Sequence, residues 1–269
     1  KLGKNVLGTR ESVNAMTPDM LRAHMKKFYS PSSTVACFCG SFDREKIISL
    51  CKRFFGSPAS ADELPPLSKA EFCTGVHIFD KKTEQNQIAI GFSAPSLESD
   101  SRFACQLIAS MLGGSASSRL FRRLREEQGL VYSVDACASS YLSAGVFAVT
   151  MGVSRESEKK AVLAAAEVLR EFPDTVTENE LDLARSHYLS GLIMSLESNS
   201  VRASRYGTGE LLLGGAISEK ELEEKIRNVG IDEIRTLARS FSSLSDACIC
   251  AVGKTAGTKF YNKVVSAGK

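Results

Sequence analysis

The two ends of the chain repeat one another, and such a repeat constrains the number of folding units before any element is assigned. With Gly253 set beneath Gly40 and the sequence read backwards without gaps, Asp19 falls on Asp232, Arg22 on Arg235 and Phe28 on Phe241. Ser30 then meets Ser243, Ser32 meets Ser245 and Cys37 meets Cys250. Leu21 pairs with Ile234 and Lys26 with Arg239, both like for like. The shared unit reads as a helix, a short Ser-rich turn and a strand that stops at glycine. In the second copy about 155 residues lie between the domain linker and this unit, whereas 16 precede it in the first. If the copies are alike, well over about 100 residues are expected to precede Lys1.

Local signals place the elements. Thr17-Pro18-Asp19 is a helix start: a hydroxyl cap, proline at the first helical position, then an acid that suits the helix dipole. Met20, Leu21, His24, Met25 and Phe28 continue at helical spacing. Ser33 to Cys39 reads as a strand, and 43–55 as a second helix closed by Gly56. Residues 57–70 hold Pro58, Pro65 and Pro66, lack apolar periodicity and read as a linker. Beyond it, strands are expected at 76–79, 85–92, 132–139, 144–152 and 247–252. Helices are expected at 100–112, 119–128, 155–171, 178–197, 199–213, 218–227 and 231–241. The expected class is α+β, a mainly antiparallel sheet packed against helices. Residues 1–56 would be the end of one domain, 57–74 the linker and 75–269 a complete second domain.

Composition narrows the function. Thirty-four basic residues against 31 acidic ones leave a net charge of +3, no electrostatic footprint for nucleic acid or an anionic membrane. The apolar runs fall far short of the ~18–20 residues of a membrane span. Eight cysteines include no C-x-x-C pair and read as small buried hydrophobes in a reducing compartment. His24, His77 and His187 are far apart, and neither H-E-x-x-H nor H-x-x-E-H occurs, so no metal ligand is assigned.

Residues 111–134 carry the chemistry. Gly113-Gly114-Ser115 precedes the arginine-rich helix but lacks the Lys-Ser/Thr ending of a P-loop. Leu120, Phe121 and Leu124 mark the helix's apolar side. Arg122 and Arg123 read as a solvated basic face paired with Glu126 and Glu127. Arg125 and Tyr132 flank Gly129, where a turn aims both side chains at one cleft. A guanidinium and a phenol so placed suit an extended backbone carbonyl or an oxyanion.

The string Leu-Gly-Gly through Ser-Ser-Arg-Leu-Phe and Leu-Arg-Glu-Glu-Gln-Gly-Leu-Val-Tyr-Ser-Val resembles the second-domain signature of the pitrilysin-like inverzincin metalloproteases. That family includes mitochondrial processing peptidase and insulin-degrading enzyme. The flanking stretches, from Leu2-Gly3 through the Tyr29-Ser30-Pro31 turn, resemble the end of its first domain. The resemblance implies two homologous domains closing around a peptide, with zinc, its ligands and a water-activating glutamate in the first. It implies that Arg125 and Tyr132 contact substrate and polarise the scissile carbonyl. Gly113, Gly114 and Ser115 are expected to bind substrate as well, because the glycine loop lets the chain pass close to the neighbouring cleft wall.

The expected function is thus the C-terminal portion of a zinc-dependent metalloendopeptidase for extended peptides. The piece itself is expected to bind no zinc and to be inactive. Expected partners are peptide substrate, a missing N-terminal domain and a homo- or hetero-dimer mate, with no nucleic acid and no membrane span. The bacterial cytoplasm is the expected location, with an organelle matrix as the alternative. The rivals are a non-catalytic partner subunit and an unrelated α+β binding module.

Overall fold

The computed structural model describes residues 2–56 and 70–267. Most of the expected linker, 57–69, lies outside the described residues. The helices in chain order are α1 (Arg10–Asn14), α2 (Pro18–Phe28), α3 (Arg44–Phe55), α4 (Ser101–Gly113), α5 (Glu158–Thr175) and α6 (Glu178–Ser195). They continue with α7 (Asn199–Leu213), α8 (Glu219–Asn228), α9 (Ile231–Arg239) and α10 (Thr258–Ala267). The strands are β1 (Gly75–Phe79), β2 (Asn86–Ala94), β3 (Val131–Ser140), β4 (Gly145–Val153) and β5 (Cys248–Val252). The chain divides into two compact units, Lys1–Ala70 with Ile193–Ser218, and Glu71–Leu192 with Glu219–Lys269. Residues 193–218, expected within the second domain, thus sit in the first unit.

The second unit is built on a five-stranded sheet of order β1-β5-β2-β4-β3, so the fold is α+β. β1 and β5 run parallel, and every other pair is antiparallel. Alternation sets the faces. Ile88, Ile90, Phe92, Phe147, Val149, Met151, Ile249 and Ala251 are all buried. Helix α4 packs on β3 and β4, and α9 packs on both α4 and α5. Phe241 follows α9 into this layer, stacked on Phe147 at 4.5 Å and tilted against Phe92 at 5.9 Å.

The first unit tells the other half of the repeat. Thr17 Oγ1 accepts from the Met20 amide at 3.3 Å, and Asp43 Oδ1 from the Lys46 amide at 3.0 Å, so both helix starts form as their sequences dictate. The 3-10 turn Pro31–Ser33 corresponds to Leu244–Asp246 at the same offset as the sequence repeat. Gly40 and Gly253 share a φ of +135° and +134°. That conformation is costly for a side chain, which accounts for glycine at both positions.

The strand expected at 33–39 does not form. The segment 34–39 is extended but is no strand, because a strand exists only through a neighbouring ladder, and none pairs with it among the described residues. The apolar faces of α2 and α3 are not core: neither helix has a buried residue. Leu21 is 53% exposed, whereas its counterpart Ile234 is 0% exposed beneath the sheet of the second unit. The segment runs instead along α7, with Cys39 Sγ 3.5 Å from Asn199 Oδ1.

The cysteines also depart from expectation. All eight are free thiols, and only Cys105 is buried. Cys248 and Cys250 alternate with Ile249 and Ala251, so they fall on the sheet face opposite the helices.

The sequence reading also omitted α10, which anchors a buried acid. Glu158 is fully buried at the start of α5. It accepts from Tyr261 Oη at 2.5 Å, from Asn86 Nδ2 at 2.8 Å and from the Ala256 amide at 2.9 Å. Burial, then the Glu158 hydrogen bond and charge, push the Tyr261 phenol well above its ordinary range. Burial, with nearby Cys137, pushes the Cys105 thiol up to about 12. In both cases the folded protein holds a proton that the unfolded chain releases. The stabilisation is complete below the unfolded thiol value of about 8.5 and is lost as pH rises toward the folded value. Unfolding free energies from urea titrations under reducing conditions are therefore expected to fall between pH 8 and pH 10.5, by about 1 kcal/mol or more. Cys105→Ala should flatten that slope, and an unchanged slope would contradict the assignment.

Candidate functional site

Arg125 and Tyr132 lie on either side of a tight reversal. Residues Phe121–Glu127 form a π-helical turn, not the regular α-helix expected at 119–128. Such wide turns occur mostly as single insertions in helices, frequently at functional sites. Leu120 and Leu124 are fully buried and hold the turn down. Gly129, at φ +58°, reverses the chain as its position predicts, and the Leu130 amide donates back to the Leu124 carbonyl at 2.8 Å.

Tyr132 is re-aimed by a bulge. β3 pairs Val131 with Val153 and Ser133 with the adjacent Gly152, so Tyr132 is the extra residue. Bulges of this kind redirect one side chain out of the pleat. Tyr132 is 70% exposed. The Arg125 guanidinium carbon stands 5.8 Å from the Tyr132 ring centre and 4.9 Å from that of Phe121. The two expected site residues are thus adjacent. Phe121, read from sequence only as part of the apolar side, completes the stack; its position four residues before Arg125 was the available signal.

The other arginines are placed differently. Arg119 is clamped to Glu180, with Nε to Oε1 at 2.7 Å and a terminal nitrogen to Oε2 at 2.8 Å, and also holds Thr175. Burial opposes the Glu180 charge, but the bonds from Arg119 and Thr177 outweigh it and hold its carboxyl below the ordinary value. Arg123 makes the expected pair with Glu127 at 3.4 Å. Among the described residues, neither the Arg125 guanidinium nor the Tyr132 hydroxyl has a hydrogen-bonding or ionic partner. Two flat rings preorganise a planar cation whose five donors remain available, an arrangement suited to carbonyl or carboxylate oxygens.

Gly113 ends α4 in a buried position against β3. A Cβ there would lie 2.1 Å from the Ala136 amide nitrogen, so only glycine permits this approach. Gly114 is exposed. Ser115 is half-buried beside a pocket, its hydroxyl 3.0 Å from that of Ser117.

The family described as Peptidase M16 inactive domain matches residues 15–188 of the chain. The chain belongs to this family. Its M16 relatives include an uncharacterised zinc protease, YmxG, of Bacillus subtilis, 31% identical over 239 residues. That match covers 88% of this chain and 58% of the relative. A second uncharacterised zinc protease, from Rickettsia bellii, is 29% identical and covers 95% and 62%. The chain therefore spans about three-fifths of the length of these relatives. Among solved structures, the M16 inactive domain of Pseudomonas fluorescens superposes with a TM-score of 0.76 at 18% identity, covering 93% of this chain and 60% of that one. A protease from Helicobacter pylori gives 0.76 at 18%, covering 92% and 61%. These structural likenesses carry the fold.

The relatives' zinc raises the question of whether residues here fit that ion. Among the described residues, no group of three or more His, Cys, Asp or Glu side chains is placed to hold a metal. The described residues thus present no side-chain set that fits zinc. No helix among the described residues is long and apolar enough to cross a membrane.

Proposed function

We propose that this chain is the substrate-clamping part of a zinc-dependent M16 endopeptidase acting on extended peptides in the bacterial cytoplasm. Residues 1–56 close the domain that precedes the linker, and the second domain is formed by 75–192 together with 219–269. The observation that carries this reading is the partner-free Arg125 guanidinium, held by Phe121 and Tyr132. It donates to a backbone carbonyl of the bound peptide, and the Tyr132 hydroxyl adds a second donor. Both strengthen as negative charge develops on that oxygen. The peptide lies extended beside β3, an edge strand of the sheet, which suits strand addition. Gly113, Gly114 and Ser115 shape the neighbouring wall. The exposed apolar faces of α2 and α3 and the ladder-free segment 34–39 are covered by the upstream half of the parent.

The test compares the full-length parent with this chain for zinc content and peptide hydrolysis. One equivalent of zinc and turnover are expected in the parent, with neither in the chain alone. Tight stoichiometric zinc in the chain alone would sink the division of labour. Neither property in either protein would make the parent a non-catalytic partner subunit.

A further inference from the structure

A pocket of 130 Å³ opens in the second unit between the 114–118 loop, the end of α4 and the middle of α6. One water needs about 10–15 Å³ on the same measure, so this is no single-water packing defect. Met111, Ser118 and Ala184 are its buried floor, and Leu183 and His187 stand exposed at its rim. Ser118 is 3% exposed, yet its hydroxyl has no hydrogen-bond partner. An orphaned buried hydroxyl costs about 1–3 kcal/mol and calls for a partner. Leu183, 61% exposed, adds apolar surface beside the opening.

The pocket's chemistry limits what it accepts. Glu180, its one acidic wall, is already saturated by Arg119 and Thr177, so a cation finds no free counter-charge. An anion finds no free cation there either, because Arg119 is committed to Glu180 and no lysine or arginine lines the pocket. A purely aliphatic occupant leaves Ser118 unpaired. What remains is an uncharged group with an apolar stem and a hydrogen-bonding tip.

We propose that this pocket is a specificity site for one peptide side chain of that class, glutamine being the fitting example. The inference rests on the peptide-clamping reading above and adds a side-chain preference to it. Seven residues of helical chain separate Ser118 from Arg125, about 10 Å of axial rise or slightly less. An extended peptide advances about 3.3 Å per residue, so the preferred position lies about three residues from the carbonyl held by Arg125.

The experiment measures fluorescence anisotropy of labelled alanine-rich twelve-residue peptides with the 269-residue chain. Glutamine, glutamate or leucine is placed at each position in turn. Glutamine at one position is expected to tighten binding about fivefold over glutamate or leucine. Ser118→Ala is expected to abolish that advantage. Leu183→Ser, at an exposed position where folding is spared, should reduce it. A preference that is absent, or that survives both substitutions, overturns the specificity site while host-peptide binding keeps the clamping reading. Failure of every peptide to bind overturns both.

Discussion

Replacing Arg125 by alanine in the full-length parent is expected to lower kcat/KM for peptide hydrolysis by about 10²–10³-fold, with zinc content unchanged. The size follows from the environment. A donor set that is preorganised before substrate arrives needs no reorganisation when charge develops. The two rings do that work, with Phe121 at 4.9 Å and Tyr132 at 5.8 Å from the guanidinium carbon. Arg125→Lys should recover little, because an ammonium keeps the charge but loses the planar stack and the forked donors. Tyr132→Phe retains the stack and removes one donor, so a smaller loss is expected. A purely structural Arg125 would lower stability instead, which a thermal melt run beside the kinetics distinguishes. Intact turnover in Arg125→Ala would favour an unrelated binding module in which this string is only packing and surface.

Glu158→Ala is expected to cost about 3–5 kcal/mol of stability, a drop in Tm on the order of 10 °C for a unit of this size. The substitution removes the shared acceptor of Tyr261, Asn86 and the Ala256 amide, leaving three donors unpaired in or near the core. These partners come from β2, α10 and the loop between β5 and α10. The acid therefore ties the chain's last helix to its sheet. Glu158→Gln should cost less, since the amide still accepts but presents two protons to groups that themselves donate. A melt within 2 °C or so of the parent for Glu158→Ala would mean that water replaces the carboxylate at little cost.

The elements legible in the sequence were those set by local chemistry. Thr17, Pro18 and Gly129 act where their side chains or φ angles require. The alternation in β2 and β4 fixes which residues face the helices. The nearness of Arg125 and Tyr132 follows from a reversal only a few residues long. What was not legible depends on distant partners or on small departures from regularity. The 34–39 segment has a strand's composition, but a ladder needs a neighbour. The parallel pairing of β1 with β5 joins residues some 170 positions apart. The burial of Glu158 has no local signal in the sequence, because its donors lie 72 to 103 residues away. The bulge at Tyr132 and the wide turn before it each reflect one residue out of step, which composition does not register.

The wide turn at Phe121–Glu127 has a consequence for how this segment can diverge. A π-turn holds one more residue per turn than the α-helix around it. Loss of one position there would restore ordinary winding and swing every later side chain by about 100° about the axis. Arg125 would leave the Tyr132 ring although every residue type in the stack was retained. The stretch between Ser118 and Val131 thus tolerates exchange of its solvent-facing letters far better than any insertion or deletion. In an alignment of such chains, gap placement here would separate working clamps from degenerate ones more sharply than residue identity.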